Sequence, residues 1–181
     1  MQHAITLRRA SVPLFLAEAS FALSLACCLS FAKAPAATGL IANMRADANG
    51  RVHIVGSSGQ EVLMPKEKGQ VGVESLQVAP NKRTAGWLVD NDNCCTSYPI
   101  ALTLIIYRVG KPLLRLGDGM MICDWKFVND GSQVAFSTNT VHGDFAPHYE
   151  LHEVANGKVL AKLNGHLDAN APEWAAKLWN Q

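Results

Sequence analysis

Hydrophobic and polar residues alternate in short runs along the second half of the chain, and turn-forming residues separate the runs. In 75–87 and 124–136, an alternating run ends in a turn rich in Asn, Asp, Pro or Gly, and a second apolar run follows. Alternation with a period of two is typical of a β-strand with one buried face. A short polar turn between two such runs predicts a hairpin in each stretch.

The two stretches are copies of one another. An offset of 49 residues aligns their apolar positions, pairing Leu76 with Trp125, Val78 with Phe127 and Trp87 with Phe136. An offset near 47 then aligns 105–113 with 151–160, including the turns Gly110-Lys111 and Gly157-Lys158. The polar loops 91–99 and 139–147 separate the two halves of each copy. The repeat predicts two copies of four antiparallel strands, each with a long loop between its second and third strands.

A shorter copy precedes these two. The apolar runs 51–55 and 60–64 flank a turn of glycine and serine at 56–59, which predicts one more hairpin. We interpret it as the end of a partial copy, which brings the expected total to about ten strands. The predicted fold class is therefore all-β, built of antiparallel four-stranded units.

The stretch from Trp125 to Phe136, an aromatic strand followed by an Asn-Asp-Gly turn and an apolar strand, resembles a blade of the WD40-like or TolB-like β-propellers. The resemblance covers roughly 51–165 and implies propeller-like blades. Closed propellers typically contain 4–8 blades, and this chain has two copies and a partial one. The sequence leaves three arrangements: an open propeller-like fragment, sheets packed face to face, or several chains assembled together.

The C-terminal stretch 171–181 predicts a short helix. Pro172 suits the first helical position, and Glu173 suits the positive end of the helix dipole. Trp174 and Leu178 are four residues apart and share one face. We expect this helix to dock on a sheet, with a protein-binding helix as the alternative.

Residues 1–36 have the composition of a secretory signal peptide. Arg8 and Arg9 precede the apolar run 21–32, which ends in small residues. That run is shorter than the roughly 20 residues a membrane-spanning helix needs. We predict a cleaved signal at 1–36, a linker at 37–50, a β-repeat domain at 51–170 and a periplasmic or secreted protein. A retained membrane anchor and a helix packed on the domain are the alternatives.

Composition and charge narrow the function classes. Hydrophobic residues make up 49% of the 181 residues, which is enough for an ordinary core. The net charge is +1, and removal of 1–36 changes it to −1. A near-neutral chain is not a strongly basic nucleic-acid binder, so we expect no nucleic-acid partner. We also expect no stable membrane span once the signal is removed.

Three cysteines remain after the predicted cleavage: Cys94, Cys95 and Cys123. Adjacent cysteines rarely bond to each other, because the geometry of a disulfide strains the peptide between them. In an oxidising compartment we therefore predict a disulfide from Cys94 or Cys95 to Cys123. Reduced, buried cysteines and metal ligation by the Cys94-Cys95 pair are the alternatives.

The second long loop carries residues that suit a metal. His142, Asp144 and His148 offer imidazole and carboxylate ligands of the kind that hold zinc. The alternative is that they are polar residues of a loop and a strand, with Asp144 forming an Asx turn. Tyr98 and Phe145 occupy matching places in the two long loops. Because loops on a rigid scaffold commonly carry function, these aromatic residues are candidate binding residues.

The chain contains none of the common catalytic motifs HExxH, CxxC and GxSxG, and no phosphate-binding loop. We therefore predict a non-enzymatic exported module that binds a protein or a small ligand through its two long loops, with no cofactor. The alternative is a metal-binding protein or metal-dependent hydrolase that uses His142, Asp144 and His148, with zinc as its cofactor. A structural component that closes a ring by self-association is a third interpretation.

Overall fold

The computed structural model describes residues 39–93, 96–142 and 146–178, and within these ranges it shows eleven β-strands and one short α-helix. The strands form three antiparallel sheets, and the strands of each sheet are consecutive in the sequence. Sheet I has three strands: β1 (Ile41–Ala46), β2 (Val52–Gly56) and β3 (Glu61–Leu63).

Sheets II and III have four strands each and run in the same order, as the repeat predicted. Sheet II contains β4 (Gln70–Val78), β5 (Thr84–Asn91), β6 (Ile100–Arg108) and β7 (Leu114–Leu116). Sheet III contains β8 (Met121–Val128), β9 (Gln133–Asn139), β10 (His148–Glu153) and β11 (Val159–Asn164). The predicted all-β class, with two four-stranded copies after a smaller one, is confirmed.

The first strand begins earlier than the sequence indicated. β1 lies within 37–50, the stretch interpreted as a linker. Its alternation is weak, because only Ile41 is buried and Met44 is half-buried. Both side chains nevertheless pack into the core beneath sheet I, and the Ile41 N–H donates to the Lys82 carbonyl at 2.6 Å. Residues 41–46 therefore belong to the sheet domain and not to a linker.

Two apolar layers hold the sheets together, and sheet II contributes to both. Between sheets I and II lie side chains from both sheets, among them Ile54, Val62, Trp87, Ile105 and Tyr107. Between sheets II and III lie Leu88, Leu104, Ile106, Trp125, Phe136 and others. Because successive side chains of a strand point to opposite faces, β5 sends Trp87 to one layer and Leu88 to the other. Sheet II is thus covered on both faces.

The side chain of Trp125 lies in the apolar layer between sheets II and III, and the residue is 0% exposed. Its indole N–H donates to the Ser75 carbonyl at 3.1 Å, and its own carbonyl accepts from the Gln77 amide at 3.0 Å. Its ring lies against Gly86, where a Cβ would come within 2.7 Å of the indole. A side chain at position 86 would therefore push the two sheets apart.

The tight turns of sheets II and III lie at one end of the sheets, which we call the turn end. Gly131, in the β8–β9 turn, has φ +84°, and a Cβ there would meet the Ala79 side chain at 2.5 Å. In the same region Arg108 donates to the Ala155 carbonyl at 2.8 Å. Since both sheets run in the same order, the connections β5–β6 and β9–β10 leave from the opposite end. We call that end the loop end.

A C-terminal segment covers the outer face of sheet III. The helix α1 (Glu173–Ala176) is shorter than expected, and Pro172 precedes it as the N-cap residue. Leu178 and the half-buried Trp174 pack with Tyr149 and Leu151, which confirms that the helix docks on a sheet. No core cluster of the described residues joins sheet I to sheet III, so the three sheets form an open stack.

Candidate functional site at the loop end

Hydrogen bonds of short polar side chains join the described parts of the first long loop, 91–93 and 96–99. Asn93 donates from Nδ2 to Thr96 Oγ1 at 2.6 Å and to the Tyr98 carbonyl at 3.1 Å. The Thr96 N–H donates back to Asn93 Oδ1 at 2.9 Å. Local bonds of this type fix a loop without help from a core. They leave the Tyr98 side chain in solvent, and the residue is 57% exposed.

The second long loop is described at its two flanks. After β9, the Thr140 N–H donates to Asn139 Oδ1 at 2.7 Å, and His142 is exposed. At the other flank, His148 opens β10 with its Nδ1 at 2.6 Å from Asn164 Oδ1. An amide oxygen only accepts, so Nδ1 is the donor in this pair, and in the neutral ring Nε2 is then the nitrogen with the lone pair.

The structure places only part of the predicted site. Tyr98 and His142 lie in the two loops at the loop end, whereas His148 faces Asn164 of β11. Asp144, Phe145, Cys94 and Cys95 lie outside the described residues. Among those that are described, no three His, Cys, Asp or Glu side chains are grouped as metal ligands. The described residues therefore do not test the predicted zinc site.

Cys123 lies in β8 at an irregularity in its pairing with β9, and no disulfide joins it to another described residue. Desolvation of the sulfur and the neighbouring Asp124 carboxylate raise the pKa of the Cys123 thiol. A thiol with a raised pKa is a poor nucleophile at neutral pH. The predicted disulfide stays a prediction, because both of its proposed partners lie outside the described residues.

Asp90 is a loop-end residue that no motif of the sequence indicates. It follows Leu88 on the face of β5 turned toward sheet III and is half-buried. Desolvation and the nearby Glu74 carboxylate raise the pKa of Asp90 to about 6. Its Oδ2 would be 2.8 Å from a Cβ at Gly72, so the carboxyl occupies the space that this glycine leaves open. Perturbed carboxyl groups near loops are candidate functional groups.

His152 has a structural environment at the turn end. It is 6% exposed and stacks on Phe136 with ring centroids 5.2 Å apart. Its Nδ1 lies 3.0 Å from the Gly157 carbonyl, and its Nε2 lies 2.7 Å from Glu150 Oε2. Both ring nitrogens are therefore engaged. This histidine fixes the β10–β11 hairpin and is not available to a ligand.

Comparison with known proteins adds no assignment. The sequence matches no model of a known protein family, and it matches no curated protein. Among residues 39–93, 96–142 and 146–178, no helix is long and apolar enough to cross a membrane. The case for a function therefore depends on the loop end itself.

Proposed function

We propose that this protein is a non-enzymatic exported binding module that contacts a partner protein with its loop end. The observation that carries the proposal is the exposed Tyr98 ring on a loop that its own hydrogen bonds hold in place. Tyrosine is enriched among the residues that dominate protein interfaces. Its ring buries a large apolar area, and few rotatable bonds are lost on binding.

The scaffold under this loop supports the same role. β5 and β6, which carry the loop, lie in the central sheet with apolar layers on both of their faces. A loop on a rigid sheet loses little conformational freedom when it binds, which favours affinity. His142 from the second loop and Asp90 from the end of β5 add polar groups at the same end. A partner surface with one apolar pocket and a polar surround fits this arrangement.

Site-specific photo-crosslinking in the producing cell tests the proposal. A benzophenone amino acid is placed at Tyr98, at His142 and, as the control, at Lys111. Lys111 is exposed in the β6–β7 turn at the turn end, where the Val109 N–H donates to the Arg83 carbonyl. We expect the same discrete adduct from positions 98 and 142 and none from 111. Absence of an adduct at 98, or equal adducts at all three positions, rejects the proposal.

We also infer that the two four-stranded copies are related to propeller blades. Their strands are consecutive and antiparallel, and each has its long loop between the second and third strands. An Asn-Asp-Gly turn in the left-handed region joins β8 to β9. In this interpretation the chain is an open fragment of a propeller-like stack.

The proposed export rests on 1–36, which lie outside the described residues. Its support is the order of a basic start, a short apolar run and a small-residue exit. Intact-mass measurement of protein isolated from the producing cells checks it. A mature chain beginning near residue 37 is the expected result, and retention of Met1 contradicts it.

Metal binding is a second candidate function, supported by His148. Its Nδ1 donates to Asn164, an arrangement that orients many metal-binding histidines and leaves Nε2 as the ligand atom. Metal analysis of the isolated protein tests this candidate. One equivalent of zinc, lost in His142→Ala and kept in His166→Ala, would support it; protein free of zinc would exclude it.

A further inference from the structure

The turn end carries an excess of basic side chains. Its turns, with the strand residues next to them, are the segments 80–83, 108–112, 129–132 and 153–158. They contain five basic residues and two acidic ones, namely Lys82, Arg83, Arg108, Lys111 and Lys158 against Asp130 and Glu153. Four of the five basic residues are exposed, and Arg108 is half-buried. The turn end therefore has a local net charge of +3, on a chain whose total is +1.

Contacts between the turns bring these charges together on one surface. The Lys82 carbonyl accepts the Ile41 N–H of sheet I at 2.6 Å. The Arg83 carbonyl accepts an N–H from the β6–β7 turn at 3.1 Å, which joins two turns of sheet II. Arg108 donates to the Ala155 carbonyl at 2.8 Å, which joins sheet II to the β10–β11 turn. The five basic residues therefore lie along one continuous row of turns.

Carboxylates of the protein do not neutralise this row. Within 39–93, 96–142 and 146–178, none of its five basic residues forms a salt bridge. The salt bridges of arginine and lysine lie elsewhere, in Arg45–Glu61, Arg115–Glu67, Lys162–Glu150 and Lys177–Glu173. At the loop end, the connection 64–69 into β4 holds Glu67 between Lys66 and Lys68. Only the turn end therefore presents a row of cations to an external anion.

Exposed apolar side chains border the basic row. Leu40 is 47% exposed and directly precedes the residue that bonds Lys82. Val159 and Leu160 are 39% and 42% exposed and directly follow Lys158. Proteins that bind the surface of a bilayer combine these two features, because apolar side chains leave water while basic ones attract anionic lipids. A soluble polyanion would engage the charges and leave the apolar side chains in water.

We propose that the turn end binds the surface of an anionic phospholipid bilayer. The attraction is local, because charges are screened over about 8 Å at physiological salt. β6 runs between the two ends with nine residues, a length of about 30 Å. The loop end therefore faces away from the bilayer and stays open to the partner proposed above. The inference does not depend on that partner, since it uses none of the loop-end residues.

Flotation with lipid vesicles tests the proposal. Protein isolated from the producing cells is mixed with vesicles of phosphatidylglycerol and phosphatidylcholine in equal parts, or of phosphatidylcholine alone. Binding to the anionic vesicles should be tighter by about tenfold or more, and 1 M salt should remove the difference. Amide hydrogen exchange on the anionic vesicles should slow in 80–83 and 108–112 and stay unchanged in 64–69. Equal binding to both kinds of vesicle, or equal protection of the two ends, overturns the proposal.

Two double variants with the same change in net charge locate the binding surface. Lys111→Glu with Lys158→Glu should weaken binding to the anionic vesicles about 25-fold or more, because each cation near an anionic bilayer contributes about fivefold. Lys66→Glu with Lys68→Glu, at the loop end, should weaken it less than about twofold, because those charges lie beyond the screening length. Equal weakening by the two double variants overturns the proposal. If either does not fold, the exchange measurement on the unaltered protein decides the matter.

A pair of leucine variants distinguishes a bilayer from a soluble anion. Leu160→Ser should weaken vesicle binding about threefold or more, because less apolar area leaves water at the bilayer surface. Leu63→Ser is the control, since Leu63 is 39% exposed and ends β3 just before the loop-end connection 64–69. Its vesicle binding should stay unchanged. Unchanged binding by Leu160→Ser as well would mean that the turn end binds a soluble polyanion, and this result also overturns the proposal.

Discussion

The outer faces of sheets I and III differ in how they are shielded from water. On sheet I the outward face carries Val55 and Leu63 beside polar side chains that bond one another: His53 Nε2 lies 3.1 Å from Asp47 Oδ2, its Nδ1 contacts Glu61, and Arg45 donates to Glu61 at 2.6 Å. On sheet III, Leu167, Trp174 and Leu178 of the C-terminal segment cover apolar side chains of the outward face, among them Tyr149 and Leu151.

The difference shows two ways to stabilise the outer face of a terminal sheet: hydrogen bonds between its own side chains, or a covering segment of the chain. Sheet I needs no additional chain over its outer face, because its polar side chains remain partly solvated and satisfy each other. Sheet III would expose a contiguous apolar surface without its cover, and such surfaces are costly in water or become interaction sites. The outer face of sheet III should therefore depend strongly on the segment that covers it, and that of sheet I only weakly on any one residue.

Leu178→Ala should produce the largest effect. Leu178 is 7% exposed against sheet III, and truncation of a buried leucine typically costs 2–5 kcal/mol. Because the site is at the edge of the core, we expect a loss of about 2–3 kcal/mol, measured by chemical denaturation. Glu173→Ala, in the exposed part of the same segment, should leave the stability nearly unchanged. Equal losses of stability in the two variants would mean that the segment does not stabilise the outer face of sheet III by covering it.

His53→Ala, on the outer face of sheet I, should reduce the stability less than Leu178→Ala does. It removes the ring that joins Asp47 to Glu61, and hydrogen bonds to charged groups contribute about 1.5 kcal/mol or less when partly solvated. We expect a loss of about 1 kcal/mol that shrinks in 1 M salt, because exposed charges are screened. A loss of stability as large as that of Leu178→Ala would contradict the interpretation that no single residue dominates the stability of the outer face of sheet I.

Asp90→Asn tests a half-buried carboxyl on the face of β5 that is turned toward sheet III, away from both outer faces. The raised pKa of Asp90, about 6, means that the folded protein disfavours the ionised carboxyl. This penalty is absent below the unfolded pKa of about 4 and complete above pH 6. Asp90→Asn should therefore stabilise the protein at pH 8, by about 1 kcal/mol at most because the carboxyl is partly solvated, and should match wild type near pH 3. Destabilisation at pH 8 would refute it.

Asp47→Asn should give the smallest effect. Hydrogen bonds from the Arg51 N–H, from His53 and from the Asn49 N–H lower the pKa of Asp47. A lowered pKa adds stability above the unfolded pKa, and that stability is lost as the pH falls through the folded pKa. Wild type should therefore exceed Asp47→Asn in stability at pH 6, and the gap should close toward pH 2. Asp130→Asn, in an exposed turn, is the control. A gap that persists at pH 2 would show that the carboxylate charge is not its cause.

Local chemistry made the strands of the repeat predictable. A period of two and a turn of Asn-Asp-Gly type are properties of adjacent residues, so both hairpins of the second copy follow from the sequence alone. The sequence does not predict β1. Ala42, Asn43 and Arg45 are exposed, and Ile41 and Met44, which pack inward, do not alternate with a period of two. Its strand conformation depends on the β2 partner and on the core beneath it. The place of Tyr98 in a long loop predicts a binding residue, and the structure adds its exposure and the hydrogen bonds of the neighbouring Asn93 and Thr96.

The class of fold, the two four-stranded copies and the docking of the C-terminal helix follow from short-range patterns, because alternation, turn residues and helical spacing act over a few positions. The surface that each sheet face contacts depends instead on the folded chain. The Asp90 carboxyl fills the space that Gly72 leaves open, and the contact of Trp125 with Gly86 joins residues 39 positions apart. Such features depend on which surfaces meet, and contacts between residues distant in the chain determine that.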